Sequence, residues 1–449
     1  PPRRARRSRP RAAPRRPWTN HYSGRSPVLS TSLKAFTVGD IRKKLAFTAF
    51  ILVIYRLGSF IPVPGVDPDQ IQEAIQGRGT TNILNFLNLF AGGALTRFAV
   101  FALGIMPYIT ASIILQLMTV VIPRLEQLQK EGETGQQKIT QYTRYFTVVL
   151  ALIQSTAYVL YFKSQGVLPD FTWGRFYLIV ISLTAGTTIV MWLGELVTQR
   201  GVGNGISLLI FASIVASLPG AVRGWVQLEP VTAVTIGVIA AAIVLGVVFM
   251  NEGQRRIPIQ YARRVVGRRM TSGGTTYMPL RVNMAGVIPV IFASSLVIFF
   301  PTVAELLGQS AGVFRDISDF LAPGSWYYIV FEGILILGFT YFYTAVVFNP
   351  VDQADNLKKY GGFVPGVRPG RPTALYLDRV VKRLTLPGAV YLAAVAEFPN
   401  VIFRYLPESN VFFGIFGGTS ILIVVGVALD TMRQVEAQMM MRQYEGFLR

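Results

Sequence analysis

The sequence predicts an all-α polytopic membrane protein with ten transmembrane helices and one short re-entrant segment. Three observations carry this: an apolar composition, ten apolar runs of spanning length, and loops that alternate in Lys/Arg content. The chain has 449 residues, a mean hydropathy of +0.45 and 15% charged residues. That balance excludes a disordered chain and a soluble enzyme of ordinary make-up. There is no cysteine, which excludes disulfides and thiolate metal sites. The single histidine, His21, lies in the N-terminal tail and leaves the apolar part of the chain without imidazole chemistry.

The net charge is +20, which on a soluble protein would point to nucleic acid. Its location points elsewhere. Arg3, Arg4, Arg6, Arg7, Arg9, Arg11, Arg15, Arg16 and Arg25 crowd the start of the chain, with no acid among them. Residues 1–32, rich in Arg and Pro, are expected to be a disordered cytoplasmic tail touching anionic lipid or RNA. A plastid transit remnant is the other reading of that composition.

A basic amphipathic lead-in, residues 33–44, precedes the first span at 45–61. Arg56 interrupts this span. A charge inside a span is a functional candidate, but near a span end it snorkels to the interface, and snorkelling is expected here. An acidic loop with Asp67, Asp69 and Glu73 follows. The stretch 83–121 then joins two unlike pieces. Residues 82–98 are apolar, interrupted by Gly92 and Gly93, and too short to span. Backbone of this kind survives at membrane depth only when protein buries it or it lines a cavity. A small mobile helix tucked into such a cavity is expected. From Ala99 onward an uncharged run bounded by Arg97 and Arg124 supplies the second span.

Further runs lie at 145–162, 176–194, 201–222, 230–251, 282–304, 326–351, 384–403 and 409–429. Glu332 and Glu397 interrupt two of them. Loops with Arg124, Lys130, Lys138 and Arg144, with Arg255 to Arg269, and with Lys358 to Arg383 alternate with sparse loops bearing Glu305, Asp316 and Asp319. The positive-inside rule places the basic loops and both termini in the cytoplasm.

Two of the basic loops exceed what topology requires. In the first, residues 257–261 read as an extended, β-prone segment. The second, 361–372, is stiffened by proline. Arginine forks on a rigid loop suit phosphate or carboxylate recognition, and a large cytoplasmic partner is expected to dock there. There is no phosphate-binding loop of the G-x-x-x-x-G-K-[ST] type, no lysine within a span, and no carboxylate pair with a histidine. No enzymatic activity, cofactor or metal is expected.

Within the membrane, Ile105 and Ile109 lie one helical turn apart, as do Ile206 and Ile210. Spacing alone reads as core or lipid contacts. The other reading is a constriction that excludes water. A secondary transporter with a discontinuous helix fits ten spans too, yet its ionisable candidates, Arg56, Glu332 and Glu397, are scattered along the sequence.

FAGGALTR at 90–97, ALGIMPYI at 102–109, RGVGNGI at 200–206, QRRI at 254–257, VNMAGVIP at 282–289, FVPGVRPG at 363–370 and GGTS at 417–420 together resemble the SecY/Sec61-alpha family. The likeness runs from about residue 33 to QYE at 443–445. It implies a protein-conducting channel of two pseudo-symmetric halves, 33–222 and 223–431, with cytoplasmic loops at 252–281 and 352–383 and a tail at 432–449. It implies a pore ring of Ile105, Ile109, Ile206, Ile210, Ile291 and Ile423, which reverses the reading from spacing. It implies a plug at 82–97, including Asn85, Phe86, Leu89, Phe90, Gly92, Gly93 and Arg97, and a lateral gate between the second and third and the seventh and eighth spans. Arg255, Arg256, Arg263, Arg264, Arg368 and Arg371 become docking residues for a SecA motor or a ribosome. Further implied partners are SecE, SecG, signal sequences, nascent polypeptides, membrane lipids, YidC and SecDF.

Overall fold

The computed structural model describes residues 39–68, 71, 88, 90–164, 166, 172–261, 265–266, 269–270, 274–306, 325–405 and 417–447. Each of the ten apolar runs produces a helix. These are α1 (Gly39–Gly58), α2 (Met106–Val121), α4 (Glu133–Ser164), α5 (Trp173–Arg200), α6 (Gly205–Val226) and α7 (Pro230–Glu252), then α8 (Ile288–Leu306), α9 (Trp326–Val347), α11 (Arg371–Tyr405) and α12 (Gly418–Phe447). Two short helices, α3 (Pro123–Lys130) and α10 (Pro350–Lys359), lie in loops. Among the described residues, seven helices are long and apolar enough to cross a bilayer, and α2 with α3 forms an eighth candidate bent by 99°. The bend falls at Ile122, extended and followed by Pro123, which cannot donate to the helix before it.

Several boundaries differ from those expected, each for a local reason. The lead-in is not separate: residues 39–44 are the first turns of α1. The second span begins at Met106, not Ala99, because residues 91–105 form consecutive turns. Gly92, Gly93 and Gly104 there hold positive φ. The fifth span starts at Gly205, where Asn204 caps the helix by accepting from the Ile206 and Ser207 amides. Before α8, Asn283 folds the chain back by donating to Asn251 Oδ1 and the Gly286 carbonyl, both at 3.1 Å. Helix α11 begins at Arg371 and α12 runs to Phe447, so both extend well beyond the apolar runs that predicted them.

The helices pack around one large apolar cluster drawn from α1, α2, α4, α5, α6, α7, α8, α9, α11 and α12. Helix α4 contacts α2 and α5, and α5 contacts α6; α9 contacts α8 and α11. Helix α8 crosses to α2 and α4, and α12 to α6 and α7. Close approach of the turn segment to α5 depends on Gly186, where a Cβ would collide with the Val100 carbonyl oxygen. Gly186→Val is therefore expected to cost about 1–3 kcal/mol through overpacking. A lowered unfolding midpoint of the purified protein in detergent would register it.

Four strand segments, β1 (Gln254–Tyr261), β2 (Val265–Val266), β3 (Arg269–Met270) and β4 (Thr275–Arg281), fill the first large basic loop. A fifth, β5 (Gly362–Phe363), comes from the second. The order β4-β1-β5 joins both loops in one antiparallel sheet. The extended reading of 257–261 matches β1, which buries Ile257 and Ile259 on one face.

Candidate functional site

Ile105, Ile109, Ile210, Ile291 and Ile423 are buried in the same apolar cluster, 0–4% exposed, and Ile206 packs against it half-buried. They come from four helices, or from the residue capping one. Ile105 is the N-cap of α2, Ile109 lies one turn on, Ile206 and Ile210 line α6, Ile291 is in α8 and Ile423 in α12. A methyl placed on Gly194 of α5 would lie 3.6 Å from both Ile105 Cδ1 and Ile206 Cγ1, so these two side chains meet over that glycine. Beside the cluster, toward the basic loops, opens a cavity of about 410 Å³ lined by Asn204, Ser207, Ile288, Val427, Asp430 and Arg433. Branched hydrocarbon thus adjoins a polar, mixed-charge chamber.

The turn segment preceding α2 is deeply seated. Phe90, Ala91, Ala94, Leu95 and Phe98 are 0–1% exposed. The Val63 amide donates to the Phe98 carbonyl at 3.0 Å and the Val100 amide to Ile61 at 2.9 Å, tying the segment to the chain after α1. Phe98 holds φ of 43°, a left-handed conformation that costs a bulky residue energy. Its ring stands edge-on to Phe162 at 5.3 Å. No small helix is formed by residues 91–97, which are turns. Asn85, Phe86 and Leu89 lie outside the described residues.

Half-buried in the last turn of α1, Arg56 donates through Nη1 to the Gly92 carbonyl, and its guanidinium lies 4.8 Å from the centre of the Phe60 ring. Arg97 approaches the same ring at 4.1 Å. Gly92 has φ of 65°, and a Cβ there would sit 3.2 Å from Ser213 Cα of α6. Tyr55 and Ser213 share a hydrogen bond at 2.7 Å, linking α1 to α6 at the same level. The apolar segment is therefore held by one charged side chain and a tight backbone fit.

The two basic loops form one platform. Ile257, Leu280, Val364, Leu377, Val380 and Val381 make a separate core that fixes the sheet to the start of α11. Arg255, Arg256, Arg368 and Arg371 are exposed on it. Arg263 and Arg264 lie outside the described residues.

Sequence reasoning missed three polar contacts. Arg144 of α4 grips Glu195 of α5 through two nitrogens, at 2.9 and 2.6 Å. Arg433 of α12 donates at 2.8 Å to both the Asn251 carbonyl and Glu252 of α7, the root of the first basic loop. Glu332 and Glu397, far apart in sequence, are neighbours across α9 and α11. None carries a local signal, because each pair is made by helix packing.

The family model of SecY matches residues 99–432. The chain belongs to the SecY family. Among curated relatives of this SecY-family chain, the protein translocase subunit SecY of Streptomyces galbus is 48% identical over 94% of this chain and 100% of its own length. That of Mycobacterium bovis is 46% identical over 94% and 100%. The fold is similar to a solved protein-conducting channel at a TM-score of 0.61 and 17% identity, covering 88% of this chain and 92% of that one. It is also similar to Sec61 in the canine ribosome–channel complex, at a TM-score of 0.59 and 18% identity, covering 88% and 92%.

Proposed function

We propose that this chain is the channel subunit of a protein translocase, conducting unfolded polypeptides across the plasma membrane and releasing spanning helices into lipid. The observation that supports it most is the convergence of six isoleucines from α2, α6, α8 and α12 beside a buried re-entrant segment. A ring of branched hydrocarbon seals by packing and dewetting while offering no hydrogen bond to a passing chain. Residues 82–97 serve as the plug over that ring. Residues 33–222 and 223–431 act as two halves, which part between α2 and α4 on one side and α8 and α9 on the other, where α8 packs on α2 and α4. A signal sequence enters lipid through that seam. The basic loops and both termini face the cytoplasm. The transporter reading is not favoured: Glu332 and Glu397 lie between α9 and α11, neither of which contributes an isoleucine to the ring.

Energy comes from a partner, a ribosome or a SecA motor. SecE and SecG complete the complex, with YidC and SecDF as further associates. Cysteines introduced one at a time at Ile105, Ile210 and Ile423, against one in a stalled secretory substrate, test the pore on a cysteine-free background. Disulfides from substrate to all three are expected. Links to none of them, with a small solute carried instead, would sink the channel reading.

The docking role has its own test. Reversing Arg255, Arg256 and Arg368 to glutamate is expected to weaken ribosome binding about 100-fold, at roughly 1 kcal/mol per exposed contact. The salt dependence of the residual binding should flatten as counterion release is lost. Co-sedimentation over a salt series reads both.

A further inference from the structure

Glu332 is 1% exposed and Glu397 8%, near the start of α9 and the end of α11, on the side away from the basic loops. They are close neighbours: the carboxyls act on one another, and Glu397 Cγ lies 4.0 Å from where a Cβ on Gly333 would stand. Asn400 Nδ2 donates to Glu397 Oε2 at 2.9 Å. Both oxygens of Glu332 and the Oε1 of Glu397 lack a hydrogen-bond partner. A buried carboxylate left without donors costs several kcal/mol, and two side by side repel. Around the pair stand the neutral hydroxyl of Tyr328 on α9 and, from α8, Val297 against that tyrosine. Among the described residues no basic side chain offsets the pair.

We infer that Glu332 and Glu397 form a proton-binding site in the α9–α11 interface. A proton taken from solvent forms an O–H bond on one carboxyl, which then donates to the other; the pair carries one negative charge instead of two. Asn400 donates to one oxygen of Glu397, which leaves its Oε1 and both oxygens of Glu332 to share the proton. Release of the proton sets two carboxylates against each other and drives α9 from α11, so occupancy controls how tightly these helices stay joined.

Infrared spectroscopy of the full-length protein in lipid, with its partner subunits, distinguishes the two states. A protonated carboxyl shows a carbonyl stretch that ionised carboxylates lack. The wild type at neutral pH is expected to show this band, and the Glu332→Gln/Glu397→Gln double variant should lose it. Absence of the band from the wild type, or its undiminished survival in the double variant, overturns the site. Should the double variant fail to fold, a hydrophobic carbodiimide, which adds only to a protonated carboxyl, takes its place on the wild type. An adduct mapped to Glu332 or Glu397 by peptide mass spectrometry supports the site, and labelling confined to other carboxyls overturns it.

Discussion

Arg56→Ala is expected to raise the resting ion leak of the channel about 10- to 100-fold, because a charge-assisted hydrogen bond worth about 1.5–3 kcal/mol disappears from the closed arrangement. The guanidinium reaches from α1 to the Gly92 carbonyl and lies against Phe60, which Arg97 also contacts. The segment it holds is largely apolar, and its other ties are two backbone hydrogen bonds to the chain after α1 and packing. Arg56→Lys should fall between, since an ammonium restores the charge but not the flat face that lies on Phe60. Gly92→Val should act in the same direction by another route, adding a side chain at positive φ and 3.2 Å from Ser213 Cα. Conductance in planar bilayers, without motor or substrate, is the readout. An unchanged leak in Arg56→Ala would assign the hold to the Val63–Phe98 backbone pairing alone.

The sequence made some of this legible and hid the rest, for reasons visible at particular residues. Apolar runs located all ten helices because a bilayer demands continuous hydrocarbon over about 30 Å. Their ends were less visible. Helices α11 and α12 continue as helix through charged residues such as Arg379 and Arg433, where hydropathy falls but helical propensity does not. The turns at 91–105 read as part of a span because their composition is spanning in character; positive φ at Gly92, Gly93, Phe98 and Gly104 separates them from a helix. The β-prone character of 257–261 was plain in its alternation. The two residues of β5 that join the second loop to it carry no such signal. The contact of Arg56 with Gly92 was hidden because proximity to a span end says nothing about a partner 36 residues away.

The isoleucine cluster yields the prediction with the largest effect. Replacing Ile105, Ile210 and Ile423 together by asparagine puts three amides where exposure is 2%, 1% and 0%. Each buried amide without partners costs roughly 2–7 kcal/mol. Packing cannot absorb such a sum, so water must enter to supply the missing hydrogen bonds. Hydrated, the constriction loses the dewetting that blocks ions. The triple variant should therefore conduct ions even with Arg56 and Gly92 intact, and more strongly than Arg56→Ala. Passage of a secretory polypeptide should survive, because an unfolded chain needs an opening and no particular contact from the ring. A triple leucine variant separates polarity from shape: it keeps the hydrocarbon, loses only the β-branch, and should stay sealed. Paired measurements of ion flux and translocation in proteoliposomes distinguish these outcomes. A sealed asparagine variant would show that the barrier lies in the re-entrant segment and that the isoleucines are ordinary core.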